Sequence, residues 1–285
     1  MSKNIYLIGG AGFIGSNLAK FFSDQGFNCI IIDNFLKTSS ANKFNLIKIK
    51  NIKIINKEIT KIKNIKKYLD WSNYIYCLFS QSGHSLSISE PLKDVNININ
   101  DHVYLLNQVV KSKCKSKIFY TSTRQVYGRS NTKKRLNESS PIKNFVDLNA
   151  VSKYACENYY IFYKKFYNLD ITILRLTNIF GPNMRIKDSN LNFLGFWIGQ
   201  SLLKNTIEIY GKADDIRDYL FIDDLVRIFF LIKDMNLKGD IYNVAGKYTT
   251  SLNKISKILK KINPNLRIIK SNNEKSLDIG QIIWT

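Results

Sequence analysis

Histidine is almost missing from this chain: among 285 residues there are two, His84 and His102. The four cysteines (Cys29, Cys77, Cys114 and Cys156) are scattered, with no C-x-x-C spacing and no histidine cluster beside them. That combination argues against a structural zinc site. It reads instead as a set of reduced thiols in a cytoplasmic protein. No signal-peptide pattern precedes the first apolar run, Ile5 to Ile8, and no stretch is long and apolar enough to span a bilayer. No membrane partner is expected.

Acidic residues are also scarce: 22 against 43 lysines and arginines, a formal charge of +21. Basic chains of this kind can bind nucleic acid. Here, however, the lysines come with an excess of asparagine and isoleucine along the whole length, which is a compositional bias and not a patch. The local runs Lys61-Ile62-Lys63-Asn64-Ile65-Lys66-Lys67 and Thr132-Lys133-Lys134-Arg135 read as solvated surface. A specific nucleic-acid partner is therefore not expected, although a basic surface favours a small substrate carrying phosphate.

What the chain does have is apolar periodicity. Strand-like runs at residues 4–8, 28–33, 53–55, 74–79 and 117–122 alternate with helical patterns at 13–25, 62–69 and 92–111. A long helix at 150–167 and a strand at 171–176 follow. After Gly181-Pro182 the pattern loosens, with a helix near 193–203, a strand at 207–210, a helix near 223–233 and a strand at 241–244. Strands alternating with helices predict an α/β fold whose parallel sheet is covered on both faces. Residues 1–170 and 171–285 read as two interleaved regions around one cleft.

The first strand runs into Gly9-Gly10-Ala11-Gly12-Phe13-Ile14-Gly15, with Gly9, Gly12 and Gly15 three residues apart where the first helix begins. Glycines there permit a tight turn and let backbone N–H groups approach a diphosphate at a helix N-terminus. The next strand, Ile30-Ile31-Ile32, ends at Asp33, followed by Asn34. A carboxylate in that place accepts both ribose hydroxyls of an adenosine and repels a 2′-phosphate, so NAD is expected over NADP.

Three further stretches follow in order: Tyr120 to Gly128 (YTSTRQVYG), Arg175 to Pro182 (RLTNIFGP) and Arg217 to Leu225 (RDYLFIDDL). With the glycine loop they make the chain resemble the extended short-chain dehydrogenase/reductases. Within these it is similar to the NAD-dependent nucleotide-sugar epimerases and dehydratases, over residues 3 to 280. The resemblance implies a Rossmann-type doubly wound parallel sheet with a smaller C-terminal α/β region that binds a nucleoside-diphosphate sugar. It implies that Gly9, Gly12, Phe13, Ile14 and Gly15 wrap the NAD pyrophosphate, that Asp33 and Asn34 meet the adenosine ribose, and that Glu58-Ile59 lies near adenine. Cys77-Leu78-Phe79-Ser80 stands where the family usually has His-Leu-Ala-Ala, which makes the cofactor wall bulkier; Phe79, Ser80 and Gln81 would meet the cofactor, as would Asn98, on the helix that braces the central strand. Thr123 would orient the sugar hydroxyl, and Lys153 the nicotinamide ribose. Arg124, Asn178 and Arg217 would meet the substrate, a guanidinium being suited to bidentate bonding of a diphosphate. The family commonly dimerises through the helices corresponding to residues 92–111 and 150–167, so a homodimer is expected. It usually continues beyond Gly280 with another helical segment, so the substrate pocket of a chain stopping at Thr285 is expected to be open on that side.

One departure stands out. Four residues before Lys153 the family carries a tyrosine that takes the proton of the sugar hydroxyl, and here that place holds Asn149. A carboxamide can hydrogen-bond but cannot act as the base. Tyr160 and Lys164 repeat the spacing, but Tyr160 lies 37 residues past Thr123, against 26 for Asn149, and reads as helix packing. Arg124 and Gln125 also replace the acid and base of the family's 4,6-dehydratases, which disfavours dehydration. His84, after the fourth strand, is the leading replacement base, with Tyr127 and Tyr154 behind it. The reading is an epimerase of nucleotide sugars. The alternative is a relative that kept its NAD and nucleotide-sugar sites but lost turnover, serving as a sensor or partner subunit.

Overall fold

The apolar runs of the first half become strands, and all but the exposed edge strand at 52–56 are buried on both faces, with side chains that divide the core. From the first strand, Ile5 and Leu7 enter one cluster with Leu18, Phe22, Ile31 and Phe229, while Tyr6 and Ile8 enter another with Ile30, Ile75, Leu105 and Tyr160. This alternation is what a central parallel strand requires.

The computed structural model describes residues 3–128, 135–187, 192–210, 213–214 and 216–271. In chain order its elements are β1 (Asn4–Ile8), α1 (Phe13–Asp24), β2 (Asn28–Asp33), β3 (Ile52–Asn56), α2 (Ile65–Trp71), β4 (Tyr74–Cys77), α3 (His84–Ser89), α4 (Pro91–Val95), α5 (Asp101–Lys111), β5 (Lys117–Thr123) and α6 (Leu148–Tyr167). Then come β6 (Ile171–Leu176), β7 (Asn178–Phe180), α7 (Phe193–Lys204), β8 (Thr206–Tyr210), β9 (Ile216–Phe221), α8 (Ile222–Ile232), β10 (Ile241–Val244), β11 (Thr249–Ser251), α9 (Leu252–Ile262) and β12 (Arg267–Ser271).

The large sheet has the order β10-β6-β5-β4-β1-β2-β3, and its neighbours pair parallel throughout. The order reverses between β1 and β4, and in such sheets the crevice outside the strand ends at that reversal is where ligands bind. Side chains of α1 and α8 enter the core on one face, and those of α2, α5 and α6 on the other. A smaller body packs Trp197, Ile207, Ile255 and Leu259 from α7, β8 and α9. Beside it lie the sheets β11-β9-β7 and β12-β8. Because β6 and β10 belong to the large sheet, the chain after residue 170 contributes to both bodies.

Several expected boundaries move. The helix expected at 62–69 begins later, because Asn64 takes φ 141° and only a short 3-10 turn, Ile59–Lys61, precedes it. The helix expected at 92–111 is interrupted by a π-helical turn, Asn96–Asn100, which buries the Asn98 side chain. The strand expected at 74–79 stops at Cys77. α3, α9, β7, β9, β11 and β12 were not expected. The lysines of the run 61–67 are exposed while Ile62 and Ile65 are buried, as a solvated surface requires. Thr132, Lys133 and Lys134, and everything after Ser271, lie outside the described residues. Among those described, no helix is long and apolar enough to cross a membrane, and no group of His, Cys, Asp and Glu could hold a metal.

Beneath the strand ends lies a buried ion pair. Glu157 of α6 accepts from Arg175 of β6 at 3.0 and 2.7 Å, and Ser122 of β5 donates to the same carboxylate at 2.5 Å. Arg175 also donates to the Tyr127 hydroxyl (2.8 Å), which donates to Asn243 of β10 (2.8 Å). Removing one partner of a pair buried this deeply leaves an uncompensated charge. Glu157→Ala should therefore lower the unfolding free energy by about 3–5 kcal/mol in urea titrations. Replacing both partners with apolar residues of similar volume, Glu157→Leu with Arg175→Met, should recover the larger part.

Candidate functional site

A cleft of about 360 Å³ opens over the ends of β1, β2, β4, β5 and β6. Its floor is the glycine turn. Gly9 has φ 81°, and a Cβ there would lie 2.6 Å from the Phe79 nitrogen; a Cβ on Gly15 would lie 2.5 Å from the Gly10 Cα. The turn thus packs so closely against β4's exit and against itself that only glycine fits. It leads into the N-terminus of α1, where no residue of the turn caps the helix with its side chain. Ser40, from the segment after β2, accepts from the Phe13 N–H at 2.9 Å.

Asp33 closes β2. One carboxylate oxygen accepts from the Ala11 N–H (3.0 Å) and the other from the Phe35 N–H (2.9 Å). Burial pushes this carboxyl above its ordinary range, and the two backbone donors oppose that. Asn34, Glu58 and Ile59 line the same end, joined by Ile97 and Asp101 from across the cleft.

The opposite end is built from β5, α6 and β6. Thr123, Arg124, Gln125, Asn149, Lys153 and Asn178 all face it. Lys153 is buried, donates to the Thr121 carbonyl at 3.1 Å and lies 5.0 Å from the Tyr120 ring centre. Burial pulls its ammonium down to about 8, and nearby Cys156, Asp94 and Glu157 oppose this. Arg124 is buried and donates to Asn178 at 3.2 Å; Asn178 donates to the Asp218 carbonyl at 2.8 Å. Burial raises the Asp218 carboxyl to about 6 against the charge of Arg124.

Asn149 is tied down. Its amide donates to the Gln81 carbonyl at 2.6 Å. The same carbonyl accepts from Asn98 at 3.1 Å, while Asn98 accepts from the Gln81 N–H (3.0 Å) and from Ser80 (2.9 Å). The loop after β4 is therefore clamped from two helices.

Most residues expected from sequence do line the cleft: Gly9, Gly12, Phe13, Ile14, Gly15, Asp33, Asn34, Glu58, Ile59, Phe79, Ser80, Thr123, Arg124, Asn149, Lys153 and Asn178. Gln81 and Asn98 are buried behind its wall and position it. Arg217 is buried on β9 and does not itself line the cleft, but the carbonyl of the adjacent Asp218 accepts from cleft-lining Thr177 and Asn178. His84 opens α3 just after cleft-lining Ser82 and Gly83, and its side chain lies outside the described residues. Tyr127 is committed to Arg175 and Asn243, and Tyr154 packs against Phe145. Phe79 stacks on His102 with ring centres 3.8 Å apart, so the bulkier wall is braced from within. Ser39, Ser40, Asp101 and Asn192 line the cleft without having been expected. They come from the segment after β2, the first residue of α5 and the N-cap of α7, none of which carries a motif.

A close-packed glycine turn at a helix N-terminus, a carboxylate at the end of β2 and a buried lysine across the crevice fit a dinucleotide. They define a Rossmann-type dinucleotide-binding protein. The sequence profile of the NAD dependent epimerase/dehydratase family matches residues 5–245, and the chain belongs to that family, with NAD as its cofactor. It is 26% identical to the CDP-paratose 2-epimerase of Salmonella typhi, over 87% of this chain and 80% of that one. It superposes with TM-score 0.91 on a UDP-N-acetylglucosamine 4-epimerase of Methanobrevibacter ruminantium M1, solved with UDP-N-acetylmuramic acid, at 25% identity over 100% of this chain and 89% of that one. With a UDP-glucose 4-epimerase of Thermotoga maritima, solved with UDP-glucose, the TM-score is 0.85 at 25% identity over 99% and 89%. The relatives and structural neighbours are nucleotide-sugar epimerases, dehydratases and decarboxylases.

The depressed Lys153 has a measurable consequence. Folded, it releases its proton near pH 8; unfolded, it holds it to about 10.5. Between those values unfolding takes up a proton, so stability rises with pH. The unfolding free energy of the wild type should gain on that of Lys153→Met as pH is raised from 8 to 10. Parallel curves in denaturant titrations would contradict a buried, depressed ammonium.

Proposed function

We propose that the protein is an NAD-dependent epimerase of nucleoside-diphosphate sugars, acting by reversible oxidation of a ring hydroxyl. The observation that carries this reading is that one cleft holds the glycine turn and Asp33 at one end and Thr123, Arg124, Lys153 and Asn178 at the other. NAD, when bound, supplies an acceptor for the hydride of the sugar's carbinol carbon. Gly9, Gly12 and Gly15 would admit its diphosphate, Asp33 would accept from the adenosine ribose, and Lys153 would donate to the other ribose. Thr123 would orient the sugar hydroxyl, and the joined Arg124 and Asn178 would offer donors to the anionic part of the substrate.

Asn149 stands at the position where the family has its proton-accepting tyrosine. Its amide is spent on the Gln81 carbonyl and has no proton to exchange near neutrality. The proton must therefore leave through His84, an ordered water, or Lys153, whose burial brings it toward neutrality. Arg124 and Gln125 offer no acid–base pair for eliminating water, which disfavours 4,6-dehydration. A second reading, an NAD- and nucleotide-sugar-binding relative without turnover that acts as sensor or partner subunit, is favoured by the same Asn149. The buried, unpaired cysteines suit a reducing, cytoplasmic setting.

A homodimer fits the outer face of α4 and α6, where Leu92, Val95, Val151, Tyr159, Phe162 and Phe166 are exposed. Phe162→Glu should shift the mass in light scattering from two chains to one.

The test of function is a panel of nucleotide sugars incubated with protein and NAD, with sugar epimers followed by NMR and reduced nicotinamide by absorbance. Epimer interconversion is expected. Asn149→Tyr should raise its rate by roughly 10²–10⁴-fold, the range of a positioned general base. Bound NAD with no turnover in either protein would sink the epimerase reading and leave the binding role.

A further inference from the structure

A residue of the second region reaches back to the cofactor end of the cleft. Arg185 lies between β7 and α7, and one nitrogen of its guanidinium, Nη1, donates to two backbone carbonyls of the segment after β2: Lys37 at 2.7 Å and Ser39 at 2.6 Å. A guanidinium nitrogen with two N–H groups in a fixed plane suits two such acceptors. Nothing local brings these partners together, since they stand 148 and 146 residues apart.

The segment that Arg185 holds is part of the cleft. Leu36, Ser39, Ser40 and Ala41 line it beside the glycine turn. The segment is also fastened to that turn directly. Besides the bond from Phe13 to Ser40, the Asn42 N–H and the Asn45 side-chain amide donate to the Ala11 carbonyl at 3.2 and 3.0 Å, and Asn45 also holds the Ser40 carbonyl at 3.2 Å. A diphosphate seated at the N-terminus of α1 therefore has this segment as a wall, and a dinucleotide leaves when that wall yields.

Arg185 itself is anchored in the half of the molecule that carries Asn178. Its backbone lies on α7: a Cβ on Gly195 would come within 2.4 Å of the Arg185 carbonyl oxygen, and one on Gly199 within 2.0 Å of that of Ile186. The N-cap of α7, Asn192, lines the cleft and donates to the Ile179 carbonyl of β7, next to Asn178, at 3.3 Å. Toward α1, the Asn183 amide donates to the Ser16 hydroxyl at 3.0 Å, and Asn17 donates to the Pro182 carbonyl at 2.9 Å. The stretch 178–187 thus touches the substrate end, the first turns of α1 and the wall after β2.

We propose that Arg185 is a positioning residue that clasps the segment 36–41 beside the bound cofactor and links retention of NAD to occupancy of the substrate end. This rests on the NAD and nucleotide-sugar reading of the cleft. A ligand that steadies β7 and the cap of α7 steadies Arg185 with them, and the clasp then opens less often. Opening of a segment of this kind gates ligand release in many enzymes.

The test follows release of NADH by its fluorescence after mixing with excess NAD, with and without UDP, CDP or dTDP. The proteins, freed of nucleotide carried through purification, are the wild type, Arg185→Ala, Arg185→Lys and Asn45→Ala. In the wild type at least one diphosphate should slow release by roughly fivefold or more, the lower range of coupling between two sites. Arg185→Ala should release NADH roughly tenfold faster, the value of hydrogen bonds from a charged donor, and the diphosphate should no longer slow it. Arg185→Lys keeps the charge without the planar fork and should fall between; it carries the comparison if Arg185→Ala does not fold. Asn45→Ala loosens the same segment without touching the clasp, so it should speed release and keep the diphosphate's effect. A merely structural role would make the Arg185 variants behave like Asn45→Ala, and that result overturns the proposal. Release from Arg185→Ala at the wild-type rate also overturns it, as does the absence of any diphosphate effect in a wild type that binds NADH; both leave the cofactor reading standing. A wild type that binds no dinucleotide overturns both.

Discussion

The buried pairing of Glu157 with Arg175 holds together the parts of the cleft that must not move. α6, β5, β6, β10 and the turn at Arg124–Tyr127 all meet in it, through Ser122, Tyr127 and Asn243. Glu157 lies one helical turn beyond Lys153 and two beyond Asn149, so fixing it sets both residues in register with the end of β5. A charge pair with essentially no exposure is a poor source of net stability. What it gives is a single geometry, since Ser122 bonds the carboxylate and Tyr127 the guanidinium from fixed neighbouring elements.

On the other side of the reversal in strand order, the wall is set by hydrogen bonds to one loop. Asn98 and Asn149 reach the Gln81 backbone from different helices, and the π-turn carries Asn98 inward far enough to do so. The residue in the proposed tyrosine position is therefore not an idle substitution. It uses its amide to hold the loop that forms the cofactor wall, a task a phenol cannot perform in the same way. Asn149 shares the holding of that loop with Asn98.

The cleft is also electrically divided, in a way that the net charge of +21 hides. Asp33, Glu58 and Asp101 line the cleft at the end near the close of β2, while Lys153 and Arg124 line it at the other. The surface lysines are screened by water and salt, whereas these few groups act at short range in a partly dry crevice.

Much of this was legible in the sequence because it is local. Gly9, Gly12 and Gly15 announce a tight turn by their spacing, Asp33 announces a strand end, and the period-2 and period-3.6 patterns mark the strands and helices of the large sheet nearly to their boundaries. The helix expected at 92–111 failed in its interior because Asn98 bonds Gln81, a contact across 17 residues that no local pattern encodes. Arg217, read from a motif, stands one residue from the Asp218 carbonyl that holds cleft-lining Thr177 and Asn178, whereas Asp101 and Ser40, which belong to no motif, line the cleft directly. The chain alone determined its backbone geometry and much of the chemistry it carries, since glycine permissiveness, side-chain periodicity and the carboxamide at residue 149 are properties of neighbouring residues. The sheet order decided everything that depends on distant segments meeting: which carboxylates line the same cleft, and which amides clamp its wall. Those contacts exist only once β4 has been laid beside β1 and the loops at the strand ends converge.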